Sequence, residues 1–242
     1  METRLLVGIA GASGSGKSTA ADRLEEHFSK NNVLIFRCDH YYNAIGSADT
    51  NFDHPDSIDW ELFYSHLDAL MRGETIHQPE YDFNTHRRTT NTTPVLPKKI
   101  IILEGILVLQ QERLRNMYHL QIFIDAAADL YALRRIGRDI LSKNEGGRGR
   151  SFGQAYEQYT TTVKPMTEQF ILPCKAHASI VIENNHKLAD MDIQPAIDAI
   201  KAAKKKLRLD ANSHIANHSM FANTNTTPST VKPAAASSFS LK

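Results

Sequence analysis

Gly11-Ala12-Ser13-Gly14-Ser15-Gly16-Lys17-Ser18 is the stretch that decides the fold. It fits the spacing G-x-x-x-x-G-K-[ST] in full, with Thr19 directly after it. Glycines at these positions let successive backbone N–H groups converge on phosphate oxygens. The lysine supplies a point charge for the β- and γ-phosphates, and the Ser18 hydroxyl is a ligand for Mg2+. The context agrees. Arg4–Ala10 is an apolar run that reads as a buried strand, and Ala20, Ala21, Leu24 and Phe28 recur at helical spacing over Lys17–Lys30. The loop therefore joins a strand to a helix whose positive end faces the anion. The stretch implies binding of a nucleoside triphosphate and leaves open what is done with it.

Outward from the loop, apolar runs and helical periodicities alternate. Strands are expected at Val33–Cys38, Lys99–Leu103, His119–Ile124 and Ser179–Glu183. A helix capped by Asp59 should run to about Arg72, and another should span Asp129–Ser142. Ser151–Thr162 and Val163–Leu172 read as two helices separated at Pro165, and Asp190–Leu207 as a closing helix. This order is that of an α/β domain with a mainly parallel β-sheet flanked by helices, the P-loop NTPase fold.

The 242 residues carry a net charge of +1, which hides a split. From Ile200 onward there are seven basic residues and one acid, so residues 1–199 are at −5 and the remainder at +6. Residues 1–209 are expected to form one domain. Residues 210–242, rich in Asn, Ser, Thr, Ala and Pro, are expected to be a disordered low-complexity tail. Lysines at the end of the closing helix suit its dipole, and no nucleic-acid partner is expected. Two cysteines, Cys38 and Cys174, cannot make a disulfide framework, which points to a reducing, cytoplasmic setting. No apolar stretch approaches membrane-spanning length.

A GTPase switch would need D-x-x-G and N-K-x-D, and neither occurs. The strand Lys99–Leu103 runs into a single Glu104, not the Asp-Glu pair usual in motor ATPases. A small-molecule kinase remains. In an open parallel sheet the chemistry sits at the carboxyl ends of the strands, so Gly11, Asp39 and Glu104 should face one crevice. Asp39 is placed to orient and deprotonate an acceptor hydroxyl, and Glu104, with Ser18 and Asp39, to hold Mg2+. Arg134, Arg135 and Arg138 on one helix, with Arg148 and Arg150 in a glycine-rich loop, read as an arginine-bearing lid over the transferring phosphate.

Several blocks together resemble the uridine kinase (uridine–cytidine kinase) family of P-loop nucleoside kinases. They are Gly8–Ser18, Asp39-His40-Tyr41-Tyr42, Asn51-Phe52-Asp53-His54-Pro55-Asp56, Tyr81-Asp82-Phe83 with His86-Arg87, Leu103–Leu107, Arg134–Asp139, Arg148-Gly149-Arg150, Gln158-Tyr159 and Val163-Lys164-Pro165. The resemblance covers about Leu5 to Ile182. It implies Mg2+-dependent transfer from ATP or GTP to the 5′-hydroxyl of uridine and cytidine, in pyrimidine salvage. It assigns Asp39 as catalytic base, beside Lys17. Asp53 becomes the grip on the ribose 2′- and 3′-hydroxyls, and Gln158 a ribose contact. Tyr42, Phe52, Tyr81, Phe83 and His86 would form the base pocket, and Arg135, Arg138, Arg148 and Arg150 the phosphate contacts of the lid. It further implies a homotetramer restrained by CTP and UTP. Two stretches depart from the family pattern. Ile140–Gly147 is longer than the usual run into Arg-Gly-Arg, and Glu183-Asn184-Asn185-His186 replaces a proline-arginine-glycine loop. The alternatives are another P-loop small-molecule kinase, such as phosphoribulokinase or pantothenate kinase, and a nucleotide-binding switch without an acceptor.

Overall fold

The computed structural model describes residues 3–44, 50–82 and 85–222, with side chains as far as Asp210. β1 (Leu5–Ala10) is buried along its whole length, as a strand covered on both faces must be. α1 (Lys17–Phe28) leaves the glycine loop and buries Ala20, Ala21 and Leu24. β2 (Val33–Arg37) stops one residue short of expectation, because Cys38–Tyr41 wind into a 3-10 turn that carries Asp39. α2 (Trp60–Arg72) is capped by Asp59, which accepts from the Leu62 amide at 3.0 Å.

β3 (Ile76–Asp82) and β4 (Arg87–Val95) pair antiparallel as a separate hairpin. No sequence signal marks it, because β4 is polar almost throughout and exposed on both faces. Its alternation has no apolar side to show. β5 (Ile100–Glu104) is fully buried, and the short α3 (Glu112–Met117) leads into β6 (Leu120–Asp125). α4 (Ala128–Ile140), α5 (Phe152–Gln158), α6 (Lys164–Met166), β7 (Ile180–Glu183) and α7 (Gln194–Ala222) complete the chain.

The five long-range strands form one sheet in the order β2-β5-β1-β6-β7, every pair parallel. Alternate residues feed opposite cores. Leu5, Val7, Ile9, Ile100 and Ile102 face α1 and α7, whereas Leu6, Ala10, Ile101 and Leu103 face α2 with Phe36, Tyr41, Phe63 and Leu67. The carboxyl ends of these strands therefore open on one edge of the sheet.

Pro165 does not separate two helices. Helical backbone runs from Phe152 to Ile171, with π-helical stretches at Tyr159–Val163 and Thr167–Ile171 on either side of α6. A proline lacks the N–H that an α-helical turn would use, and the wider register on both sides accommodates it. Thr160, Thr161 and Thr162 hydroxyls donate to the carbonyls of Tyr156, Glu157 and Gln158 at 3.0, 2.7 and 2.7 Å. The closing helix also differs. It begins at Gln194 and continues to Ala222, past the 209/210 boundary that composition suggests, since each residue added to an existing helix costs no new nucleus. Residues 223–242 lie outside the described residues.

Candidate active site

The loop between β1 and α1 curls under the start of the helix. Gly16 is the N-cap of α1 at φ 103, a left-handed conformation open to glycine, and no side chain caps the first turn. The leading amides of α1 are thus left for an anion. Ser15 is buried and its amide donates to the Ala12 carbonyl at 3.0 Å. Ala12 packs with Tyr131 of α4, and a Cβ on Gly14 would run into the Tyr131 carbonyl. Gly11 stands at the strand end, its φ of 154 leaving no room for a side chain beside the Ile124 carbonyl. Thr19 lies half-buried in the first turn of α1.

Lys17 Nζ is 3.8 Å from Glu104 Oε1, and the Ser18 hydroxyl donates to the same oxygen at 3.2 Å. Burial pushes the Lys17 ammonium below its ordinary value, against the pull of Glu104. Glu104 is 4% exposed and sits in register between Ile9 and Arg37. Arg37 reaches its other oxygen, Oε2, at 3.0 Å and Asp22 at 2.6 Å. Ser18 Oγ and the Glu104 carboxylate are hard oxygen donors side by side. Among the described residues no three metal-ligating side chains cluster. That donor set fits Mg2+, which is usually held by one or two carboxylates together with substrate phosphates.

Asp39, just past β2, faces the same crevice. The crevice has a volume of about 670 Å3. Its lining brings together Ser13, Lys17 and Ser18 with Tyr42, Phe52, Asp53, His86 and Gln158. Asp53 is 5% exposed, its amide bonded to Asn51 Oδ1 at 3.2 Å. The Tyr42 and Phe52 rings meet edge to face at 4.9 Å, and His86 stacks on Phe52 at 5.1 Å and 23°. His86 holds φ 53, and its Nδ1 is buried without a partner among the described residues. Burial, then Asp53 and Asp39, push the Tyr42 phenol well above its ordinary value. Tyr81 stands behind this wall. It touches Tyr42 and Phe52 ring to ring at 5.4 and 6.2 Å, but lines a smaller cavity on the far side of Phe52. Phe83 lies outside the described residues.

The arginines converge on one carboxylate. Asp139 is 2% exposed and ion-paired to Arg135 at 2.9 Å, Arg138 at 3.8 Å, and Arg148 and Arg150 at 3.3 Å each. Arg135 and Arg138 also donate to Ser13 Oγ at 2.7 and 3.3 Å, which ties α4 to the phosphate loop. Arg150 bonds Gln158 of α5. The connection from α4 folds back, with Gly149 and Arg150 amides donating to the Leu141 and Asp139 carbonyls at 2.8 and 2.9 Å. Burial and the neighbouring Arg135 and Arg138 push the Arg148 guanidinium down to about 10, as expected where positive charge exceeds its counter-charge.

Arg134 goes elsewhere: it bonds the Asn184 and His186 carbonyls beyond β7. Sequence reasoning passes over Asp139, Arg37 and Asn184 as site residues. Asp139 has a readable signal, four residues after Arg135 and directly after Arg138. Arg37 becomes visible only through strand register, and Asn184 only through its place at a strand's carboxyl end.

The sequence model of the "Phosphoribulokinase / Uridine kinase family" matches residues 6–191. A uridine kinase of Vibrio campbellii is 41% identical over 213 residues, covering 84% of this chain and 95% of that protein. One from Geobacillus sp. is 40% identical over 196 residues, covering 78% and 90%. Among solved structures, D-glycerate 3-kinase of Cryptococcus neoformans superposes with a TM-score of 0.59 at 15% identity, over 80% of this chain and 89% of that one. The phosphoribulokinase of Rhodobacter spheroides superposes at 0.52 and 12%, over 76% and 71%. These two likenesses concern the fold alone. With a phosphate loop, a strand-end acid pair and an arginine cluster on one crevice, and relatives at this identity over most of its length, the chain is a kinase and belongs to the phosphoribulokinase/uridine kinase family.

Proposed function

We propose that the chain transfers the γ-phosphoryl group of ATP or GTP to the 5′-hydroxyl of uridine and cytidine. The observation that carries this is the lining of the crevice. A buried carboxylate, Asp53, and an aromatic wall of Tyr42, Phe52 and His86 line the same crevice as Lys17 and Ser13. A sugar phosphate has no use for the aromatic wall, whereas a pyrimidine nucleoside uses both features.

In this reading the loop amides and Lys17 hold the β- and γ-phosphates, and Ser18 and Glu104 would hold Mg2+. Bound there, the metal would offset the negative charge of the transfer state. Asp39 accepts the proton of the 5′-hydroxyl as that oxygen attacks. Asp53 accepts hydrogen bonds from the vicinal ribose hydroxyls. A 2′-deoxyribose leaves it short of one, a loss that sites built on buried hydrogen bonds punish heavily. His86 offers a ring nitrogen to the polar edge of the base. Arg135, Arg138, Arg148 and Arg150 stabilise charge on the transferring group and exclude water. A homotetramer belongs to the same proposal by resemblance.

The test is an acceptor panel. Uridine and cytidine should drive ADP release, 2′-deoxyuridine and purine nucleosides much less. If ribulose 5-phosphate, pantothenate or D-glycerate drives release and the pyrimidine nucleosides do not, the reading is wrong. Hydrolysis indifferent to every acceptor would favour a switch instead.

A further inference from the structure

Asn184 follows Glu183, the last residue of β7. Its amide N–H donates to the Asp125 carbonyl at 2.7 Å, and Arg134 Nη1 donates to its carbonyl at 3.1 Å. Its neighbour Asn185 accepts the Ala127 amide on Oδ1 at 2.8 Å. This segment is therefore fastened to β6 and to the start of α4. Between these ties the Asn184 side chain points into the protein, 1% exposed. Its Nδ2 donates to the Ser15 carbonyl at 2.6 Å. Its Oδ1 has no partner among the described residues. Turning the amide over would set Oδ1 against the Ser15 carbonyl oxygen, so the carbonyl dictates which way the group faces.

The Ser15 carbonyl shares a planar trans peptide with the Gly16 N–H, and the two point in opposite directions. Holding the oxygen on the Asn184 side sends the N–H the other way. Gly16 is the N-cap of α1 and has no side chain to hold that peptide plane. The Asn184 amide also occupies the space a Cβ on Gly16 would need. We infer that Asn184 is a positioning residue for the triphosphate, locking the Ser15–Gly16 peptide so that the Gly16 N–H faces the phosphates. A flipped peptide would aim a carbonyl oxygen at an anion instead. The role rests on triphosphate binding at Gly11–Ser18 and is indifferent to which acceptor is used.

The test measures dissociation constants in the full-length protein for inorganic tripolyphosphate and for a non-hydrolysable ATP analogue, with uridine as the comparison. Asn184→Asp keeps the shape but replaces the donor with an acceptor. It should weaken both phosphate ligands by about tenfold or more, the scale of one charge-assisted hydrogen bond, with uridine affinity within about twofold of the parent. Asn184→Ser, which restores a donor, should recover part of the loss, and it carries the test if the Asp variant does not fold. Amide exchange at Gly16 should quicken in the Asp variant. Equal weakening of uridine and tripolyphosphate, or unchanged tripolyphosphate affinity in a folded variant, overturns the assignment. A parent protein that binds neither phosphate ligand would overturn the phosphate-loop reading itself.

Discussion

Asp39 and Asp53 are both carboxylates in one crevice, yet their surroundings separate their work. Asp39 follows a strand end near Glu104 and Lys17, where the proposed mechanism brings an acceptor oxygen to the phosphate, whereas Asp53 is buried beside the aromatic residues. Asp39→Asn should lower kcat by about 10²–10⁴-fold, the usual contribution of a positioned base, with triphosphate affinity nearly unchanged. A steady-state titration reads both, and turnover within threefold (roughly 0.7 kcal/mol of barrier) would reject the role. Asp53→Asn should raise the uridine KM and bring uridine and 2′-deoxyuridine together, and an undiminished gap between them would count against the ribose grip. Arg148 makes stability depend on pH. Its folded value is lowered to about 10, so below that pH the protein holds a guanidinium that is harder to charge than in the unfolded chain. The stability lost to this charge returns as pH rises from about 10 toward the unfolded value. An added anion compensates it at any lower pH. Arg148→Met should therefore leave the Tm of the ligand-free protein level or higher while weakening tripolyphosphate binding. A fall in both would show that Arg148 is chiefly structural. Most of these residues could be read from spacing, because a phosphate loop and a strand-end acid announce themselves locally. For Asp139 only the nearness of Arg135 and Arg138 shows in the sequence, its pairing with Arg148 and Arg150 being made by a returning loop, and the Asn184 contact with Ser15 spans most of the chain.

At the scale of elements, α4 and the connection that follows it act as one piece. Asp139 gathers four arginines, two from α4 and two from the returning loop. Gly137 lies within α4, and among the described residues nothing stands within 4 Å of where its Cβ would be. Gly137→Ala should stabilise the protein by about 0.5–1 kcal/mol through helix propensity, visible as a higher Tm with unchanged KM values. Gly147→Ala should do the reverse, because its Cβ would collide with the Leu141 backbone. If both glycines respond alike, the packing of this connection differs from the one described. Element type was legible wherever burial left a run or a period in the sequence: β1 and β5 show an unbroken apolar run, α1 and α2 a helical period. The β3–β4 hairpin was not, since β4 buries no face. Nor was the continuous helix through Pro165, because a π-helical register leaves no sequence period to read.

For the molecule as a whole, parallel strand order does the assembling. With β5 between β2 and β1, Glu104 must lie between Asp39 and the phosphate loop. No motif states this neighbourhood, yet the topology imposes it. The charge split also gains a location. In the proposed mechanism the basic residues of the crevice serve the phosphates, while Lys201–Arg208 lie on α7, on the far side of the sheet from α2. Removing residues 223–242 should leave kcat and KM unchanged, whereas truncation ahead of Ala196, Ile197 and Ile200, all buried, should abolish folding, as circular dichroism would show. The most direct measurement of the central claim is phosphorus NMR of the product formed from ATP, Mg2+ and uridine. The account predicts uridine 5′-monophosphate in amounts equal to ADP, lost by orders of magnitude in Asp39→Asn. Release of inorganic phosphate at the same rate with and without uridine would contradict it.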